Sequence, residues 1–189
     1  MSRNEQNEHS RVFDWLGIHK QGTPYHLHPL NLVWSAEGVD HDLNVYKAVA
    51  DRLAADPQYW ASVIRDPNWR FTLVGCVCLL VTGRTEHFED LCFRYEAGGI
   101  VVPQLAVTLG LLHAEHAVPF FKMMLSTPEL RRNPSKAISA DRALVKLRVR
   151  HQPEVVAEEW KGLGGDDAKA AQSLFEQHWK FWSERRQQQ

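Results

Sequence analysis

The chain has 189 residues, a formal net charge of -1 and a hydrophobic content of 44%. These values predict one globular domain with a substantial core, and they argue against a general nucleic-acid binder, which would be strongly basic. The polar start, residues 1–10, predicts neither a secretory signal nor a transit peptide, and we expect residues 1–12 to be disordered. The longest apolar run, 73–81, is far shorter than the roughly 20 residues that a membrane-spanning helix needs.

The three cysteines, an odd number, do not suggest a disulfide framework. Cys76, Cys78 and Cys92 all lie within apolar helical pattern. Because free cysteine is among the most buried residue types, we interpret them as small core residues and not as ligands or nucleophiles. Together with the polar start, this cysteine usage predicts a cytoplasmic protein.

Residues 13–42 are rich in aromatic residues and helix breakers, and they also hold four histidines. We interpret this stretch as a non-repeating N-terminal cap, with a short helix near residues 12–18. The alternative is a metal site around His26 and His28, because zinc and related ions take imidazole ligands. No Cys, Asp or Glu stands at a supporting spacing nearby, so the cap is the favoured interpretation. The four histidines are His19, His26, His28 and His41.

Apolar residues at three- and four-residue spacing predict an amphipathic helix over residues 42–54. Two Asp-Pro pairs, at Asp56 and Asp66, then predict the starts of two further helices. The reason is that the carboxylate accepts hydrogen bonds from free backbone amides, while proline fits the first helical position.

The stretch from 66 to 125 alternates helices that are apolar all round with amphipathic ones. The predicted apolar helices cover 68–82 and 100–112, and the amphipathic ones cover 86–96 and 115–125. A helix without a polar face is buried on several sides, so the two apolar helices should form the core. Paired residues recur at an offset of 32 positions, which is typical of a helical repeat. The pairs are Leu73 with Leu105, Leu80 with Leu112, and Phe88 with Phe120.

Three segments, 66–70, 73–80 and 101–120, resemble the HEAT-repeat and related alpha-solenoid families. The likeness implies an all-α fold of compact right-handed helical-hairpin repeats, an α-α superhelix with a non-repeating N-terminal cap and a C-terminal capping helix. The uneven periods favour a compact bundle over a curved rod. The predicted organisation is a single domain over 13–184, with repeats at 43–65, 67–96, 100–125 and 135–161 and a capping helix at 167–184.

The sequence contains no motif that indicates a particular catalytic activity. His113, Glu115 and His116 could ligate a metal on a continuous helix, but they fall in a predicted turn, which favours surface turn residues. The glycines at 162–165 follow no strand and lack the spacing of a phosphate loop. We therefore predict no enzymatic activity and no cofactor. A metal-dependent helical enzyme that uses the histidines at 26, 28, 113 and 116 stays as an alternative.

Charged residues are unevenly distributed along the chain. Seven basic residues lie between 131 and 150, opposed only by Asp141. They are Arg131, Arg132, Lys136, Arg142, Lys146, Arg148 and Arg150. Acidic residues gather on the second helices of two units, which the resemblance implies would line a concave face. They are Glu86, Glu89, Asp90, Glu154, Glu158 and Glu159. An acidic groove for a basic protein is the sharper hypothesis. Ordinary solvated helix faces are the alternative.

In general build, the chain resembles the immunity proteins that bacteria keep against their own secreted toxins. This resemblance implies a cytoplasmic protein-binding module that binds a cognate toxin or effector one-to-one and occludes it through the acidic helical face. One alternative is a nucleic-acid-binding helical-repeat protein that uses the basic segment 131–150, with affinity that falls steeply as salt rises. The metal-dependent enzyme is a second alternative.

Overall fold

The computed structural model describes residues 12, 15, 16, 28–149 and 165–188, and every regular element among them is a helix. The all-α prediction is therefore confirmed for this part of the chain. The chain splits into two compact units, Met1–Asp90 and Leu91–Gln189. The predicted repeats, caps and single-domain organisation stay predictions. The expected disorder of residues 1–12 falls outside the described residues, apart from Val12, and so does the second half of the repeat predicted at 135–161.

Among the described residues, the first unit holds four complete helices of four or more residues and the start of a fifth, and the other described helices lie in the second unit. In the first unit these are α1 (His28–Asn31), α2 (Val39–Ala54), α3 (Pro57–Arg65) and α4 (Trp69–Thr82). Helix α5 (Phe88–Ala97) contains the boundary. The second unit holds α6 (Val102–Leu112), α7 (Ala114–Ser126), α8 (Pro128–Arg131), α9 (Pro134–Lys146) and α10 (Gly165–Arg186).

The two Asp-Pro pairs behave differently. Asp56 caps α3 as predicted, because its carboxylate accepts a hydrogen bond from the Tyr59 amide at 3.0 Å. At the second pair, the Asp66 carboxylate instead accepts from the amide of Asn68, two residues on, at 2.6 Å. This bond closes an Asx turn, which passes the capping role to Asn68 and delays the start of α4 until Trp69.

Helix α4 is the core of the first unit. Its residues 71–80 are all buried, and α1, α2 and α3 pack around it. This confirms the burial predicted from its apolar sequence. Gly75 permits the close approach of α3, because a Cβ atom at this position would lie 2.7 Å from Cγ1 of the buried Ile64.

Helix α6 is the core of the second unit, as its apolar sequence also predicts. Helices α7, α9 and α10 pack against it. Gly110 faces α10, where a Cβ atom would lie 2.7 Å from the Trp179 ring. The buried ring of Tyr95 in α5 meets Phe120 and Phe121 of α7 edge-on, at centroid distances of 5.6 and 5.8 Å.

The three cysteines are buried and are not joined in a disulfide bond, which confirms their predicted place in the core. Burial raises the pKa of the Cys78 thiol well above its ordinary value, so the reactive thiolate is suppressed. The Cys78 Sγ lies 3.5 Å from the carbonyl oxygen of Tyr46.

Candidate protein-binding surface

Of the six acidic residues predicted to face a partner, the structure describes three. Glu86 and Glu89 are exposed, as the prediction requires. A backbone hydrogen bond and the Arg84 guanidinium, 3.0 Å away, hold the pKa of Glu86 below its ordinary value. The Glu86 carboxylate is therefore available to a partner as a negative charge, and Glu89 is exposed on the first turn of α5. Glu154, Glu158 and Glu159 lie outside the described residues.

Asp90 does not lie on an exposed face, and the expectation that it does is wrong. Its residue is only 8% exposed, and its carboxylate faces the interior of the first unit. One oxygen accepts a hydrogen bond from Nε of Arg65 at 2.5 Å, and the other lies 2.8 Å from Nδ1 of His87. Asp90 thus joins the end of α3 to the start of α5.

His87 occupies an unusual place beside this carboxylate. Its φ of 67° lies in the left-handed region, which residues other than glycine rarely adopt. The His87 ring packs on the Trp60 ring at a centroid distance of 5.2 Å. The Arg84 guanidinium lies 5.9 Å from the centre of the Trp60 ring. The bond to Asp90 and the contact with Trp60 hold His87 in this conformation.

Three of the seven basic residues of the segment 131–150, Lys136, Arg142 and Lys146, contact partners within the second unit. The Lys136 ammonium donates to the Glu96 carbonyl, and its burial lowers its pKa. Arg142 contacts the buried Asp141 at 2.9 Å, and Lys146 contacts Glu176 at 2.5 Å.

Three cations of this segment, Arg132, Lys146 and Arg148, are placed among the exposed residues in the described part of the chain. Arg150 and the side chain of Arg131 lie outside it. Of the five cations whose side chains the structure describes, Lys136 is buried and Arg142 is half-buried, so these two do not add to the exposed positive charge as the prediction requires.

Of the four histidines considered for a metal site, the structure describes the side chains of two, His113 and His116. His113 is the single residue between α6 and α7, and it is buried, whereas His116 in the first turn of α7 is exposed. The side chains of His26 and His28 lie outside the described residues. Within the described ranges, no group of three His, Cys, Asp or Glu side chains is placed to hold a metal ion.

His113 has a perturbed titration. Desolvation by burial, with smaller contributions from the positive charges of His116 and Arg186, holds its pKa below the ordinary value. A buried histidine of this kind is neutral at pH 7, and it destabilises the folded state at low pH, where the unfolded chain binds the proton more readily.

The end of α5 is held by two buried cations. Gly98 and Gly99 both have positive φ values, 82° and 115°, and they turn the chain away from the helix. The Arg94 guanidinium donates to the Gly98 carbonyl at 2.5 Å, and Lys136 donates to the Glu96 carbonyl. Cations at a helix C-terminus satisfy its last carbonyls and favour its dipole.

Large apolar side chains remain exposed around this same helix end. Phe93 is 52% exposed and Ile100 is 54% exposed. On α5, Phe93, Glu96 and Ala97 are spaced three and four residues apart, which puts them on one face, and all three are exposed. We call Phe93, Glu96, Ala97 and Ile100 the α5-end surface. Exposed apolar patches with a polar rim mark protein interaction sites.

The α5-end surface was missed by the sequence-based reasoning, although a signal for it exists. The apolar stripe predicted for residues 86–96 consists of Phe88, Leu91, Cys92 and Tyr95. Phe93 is adjacent in sequence but lies off that stripe. A large aromatic residue outside the buried face of an amphipathic helix must face solvent or a partner, and this could have singled it out.

A pocket of about 350 Å³ opens beside Ile100 within the second unit. Its walls come from the starts of α6, α9 and α10. Its apolar lining includes Ile100, Pro103 and Leu174, and its polar lining includes Ser135 and Asp167. The volume is at the lower end of the range for pockets that bind small molecules or single side chains.

No family model, curated protein or solved structure matches this chain. In the described part of the chain, no helix is long and apolar enough to span a membrane.

Proposed function

We propose that this chain is a cytoplasmic protein-binding module of the immunity type, which binds a basic partner protein, such as a cognate toxin, and occludes it. The observation that carries the proposal is the α5-end surface, where Phe93 and Ile100 are each about half exposed and Glu96 lies between them in sequence. Aromatic residues dominate the energetics of protein interfaces, and Phe93 supplies such an anchor.

The charges of the second unit support a basic partner. Near the end of α5, Arg94 and Lys136 are buried and donate to backbone carbonyls, whereas Glu96 is exposed. Cations turned inward and a carboxylate turned outward leave an acidic and apolar surface. Complementary charge on a partner raises the association rate and the specificity of binding.

Glu86 and Glu89 enter the proposal separately, as exposed carboxylates of the first unit. They are what remains of the predicted acidic face among the described residues, because Asp90 is committed to Arg65 and His87. We expect reversal of both charges to lysine to slow association with a basic partner more than it speeds dissociation.

The proposal is tested by site-specific photo-crosslinking in the native cell. A photoreactive phenylalanine analogue is placed at position 93, and the matched control carries it at Val145, which is 46% exposed on α9 of the same unit. We expect one discrete crosslinked protein from position 93 and none from position 145. The partner, identified by mass spectrometry, should then bind the purified chain one-to-one in isothermal titration calorimetry.

Two results would contradict the proposal. The first is an equal, diffuse set of crosslinks from positions 93 and 145, which indicates random collisions. The second is a crosslinked partner that shows no measurable binding to the purified chain in calorimetry.

A further inference from the structure

The pocket beside Ile100 combines an apolar interior with a charged rim. Ala171 in its wall is 4% exposed and belongs to a small buried cluster with Ala137 and Ile138. Asp167 also lines the pocket, but this residue is exposed. A side chain that fits such a site carries a long apolar stem and a polar head that stays near water.

The sign of the head group follows from the charges around the pocket. Three helices begin here, and each start contributes roughly half a positive charge. Two full negative charges, those of Asp166 and Asp167 in the first turn of α10, offset them. One of the free backbone N–H groups in the first turn of α9 already has a partner, because the Asn133 side chain accepts a hydrogen bond from the Lys136 amide at 3.1 Å.

Among the described residues that line the pocket, Asp167 alone carries a full charge. Two buried cations lie behind the wall, because a Cβ atom at Gly99 would be 3.4 Å from the Arg94 guanidinium and one at Gly98 would be 3.5 Å from the Lys136 ammonium. Both cations donate to backbone carbonyls at the end of α5, whereas Asp167 is exposed at the rim, so the rim favours a cationic head group.

From this combination we infer that the pocket receives a lysine or arginine side chain of the partner protein, with its stem against Ile100 and Leu174 and its cation at Asp167. This inference rests on the proposed function and specifies the partner's chemistry beside the α5-end surface. Arginine fits best, because a guanidinium can form two parallel hydrogen bonds with one carboxylate.

The test titrates the full chain with two small probes of similar length and opposite charge, n-butylguanidinium and pentanoate. Binding is followed by backbone amide signals in heteronuclear NMR. We expect n-butylguanidinium to shift the amides of Gly99, Ser135 and Ala170 with a saturable, millimolar Kd, and pentanoate to shift none of them. Equal binding of pentanoate, or saturable shifts confined to other residues, would overturn the inference.

Matched variants locate the charge. Asp167→Asn should weaken n-butylguanidinium binding between about twofold and fivefold, the range expected for an exposed ion pair. Asp166→Asn removes the same charge from the same helical turn, but this residue does not line the pocket. It should therefore weaken binding less than twofold, roughly the lower limit for such a pair. Equal effects of the two variants would contradict a specific contact with Asp167.

A second variant tests the cavity itself. Ala170 lines the pocket and is exposed on α10, so Ala170→Leu fills the space with little cost to the helix. We expect it to weaken n-butylguanidinium binding by about tenfold or more, and unchanged affinity would overturn the inference.

The probe titration needs no partner, so its outcome is separable from that of the crosslinking experiment. Probe binding without a crosslink at position 93 supports the pocket and contradicts the proposed function. A crosslink without probe binding supports the function and overturns the pocket.

Discussion

Removal of the Asp90 carboxylate should destabilise the first unit, although this residue was expected to serve a partner. Asp90 lies between Arg65 of α3 and His87 before α5, at 2.5 and 2.8 Å. Asp90→Asn keeps the shape but removes the charge, and Asp90→Ala removes both bonds. The matched control is Glu89→Gln, because Glu89 is the adjacent carboxylate and is exposed.

The magnitude follows from the burial of the three partners. A hydrogen bond to a charged group contributes about 1.5–3 kcal/mol. The Arg65 side chain is 49% exposed, so solvent screening reduces the contribution of the Arg65–Asp90 pair to about 0.2–1 kcal/mol. The His87 side chain is only 8% exposed, so the contact between His87 and Asp90 is screened less. We therefore expect a loss of about 1–2 kcal/mol for Asp90→Asn and about 2–3 kcal/mol for Asp90→Ala.

Urea unfolding at pH 7, followed by circular dichroism, measures the total loss. Hydrogen exchange of the α3 and α4 amides shows whether the loss falls in the first unit. Glu89→Gln should change stability by less than about 0.5 kcal/mol. A double-mutant cycle with Arg65→Met should give a coupling of about 1 kcal/mol. If Asp90→Asn and Glu89→Gln are equally stable, the Asp90 bonds do not hold α3 to α5.

Three further predictions concern packing and pH. Gly75→Ala should lower the free energy of unfolding by about 1–3 kcal/mol in urea titrations, because its Cβ would meet Ile64 Cγ1 at 2.7 Å; a gain in stability would contradict the close packing. Tyr95→Phe should cost about 1–2 kcal/mol, since the buried hydroxyl donates to the Lys136 carbonyl at 2.5 Å; unchanged thermal unfolding would refute this. The pKa of His113 is lower in the folded chain than in the unfolded chain. The free energy of unfolding should therefore fall as the pH drops below the unfolded pKa of about 6.5. His113→Gln should reduce that pH dependence.

The sequence predicts the cores of the two units well. Helices α4 and α6 were identified because a helix without a polar face must be buried, and this holds whatever packs around it. The start of α3 was also predictable, because the bond from the Tyr59 amide to Asp56 is local. The start of α4 was predicted within one residue, at 68, but its capping residue was not: Asn68 caps the helix, whereas Asp66 closes an Asx turn.

The candidate site was less predictable, because charge in a sequence does not reveal its partner in space. Asp90 bonds to Arg65, 25 positions away, and Lys136 bonds to the Glu96 carbonyl, 40 positions away. Neither pairing has a local signature, so both residues were assigned to surfaces that they do not occupy. Phe93 is different, because its position off the apolar stripe of α5 could be seen in the sequence.

The most direct test of the proposed function is the affinity of the crosslinked partner for two matched variants. Phe93→Ser removes the aromatic side chain of the α5-end surface, and Val145→Ser removes a similarly exposed apolar side chain on α9. We predict that Phe93→Ser raises the Kd in calorimetry by about tenfold or more, as loss of an interface anchor should. Val145→Ser should change it less than about twofold. Equal affinities of the two variants would contradict a binding function for the end of α5.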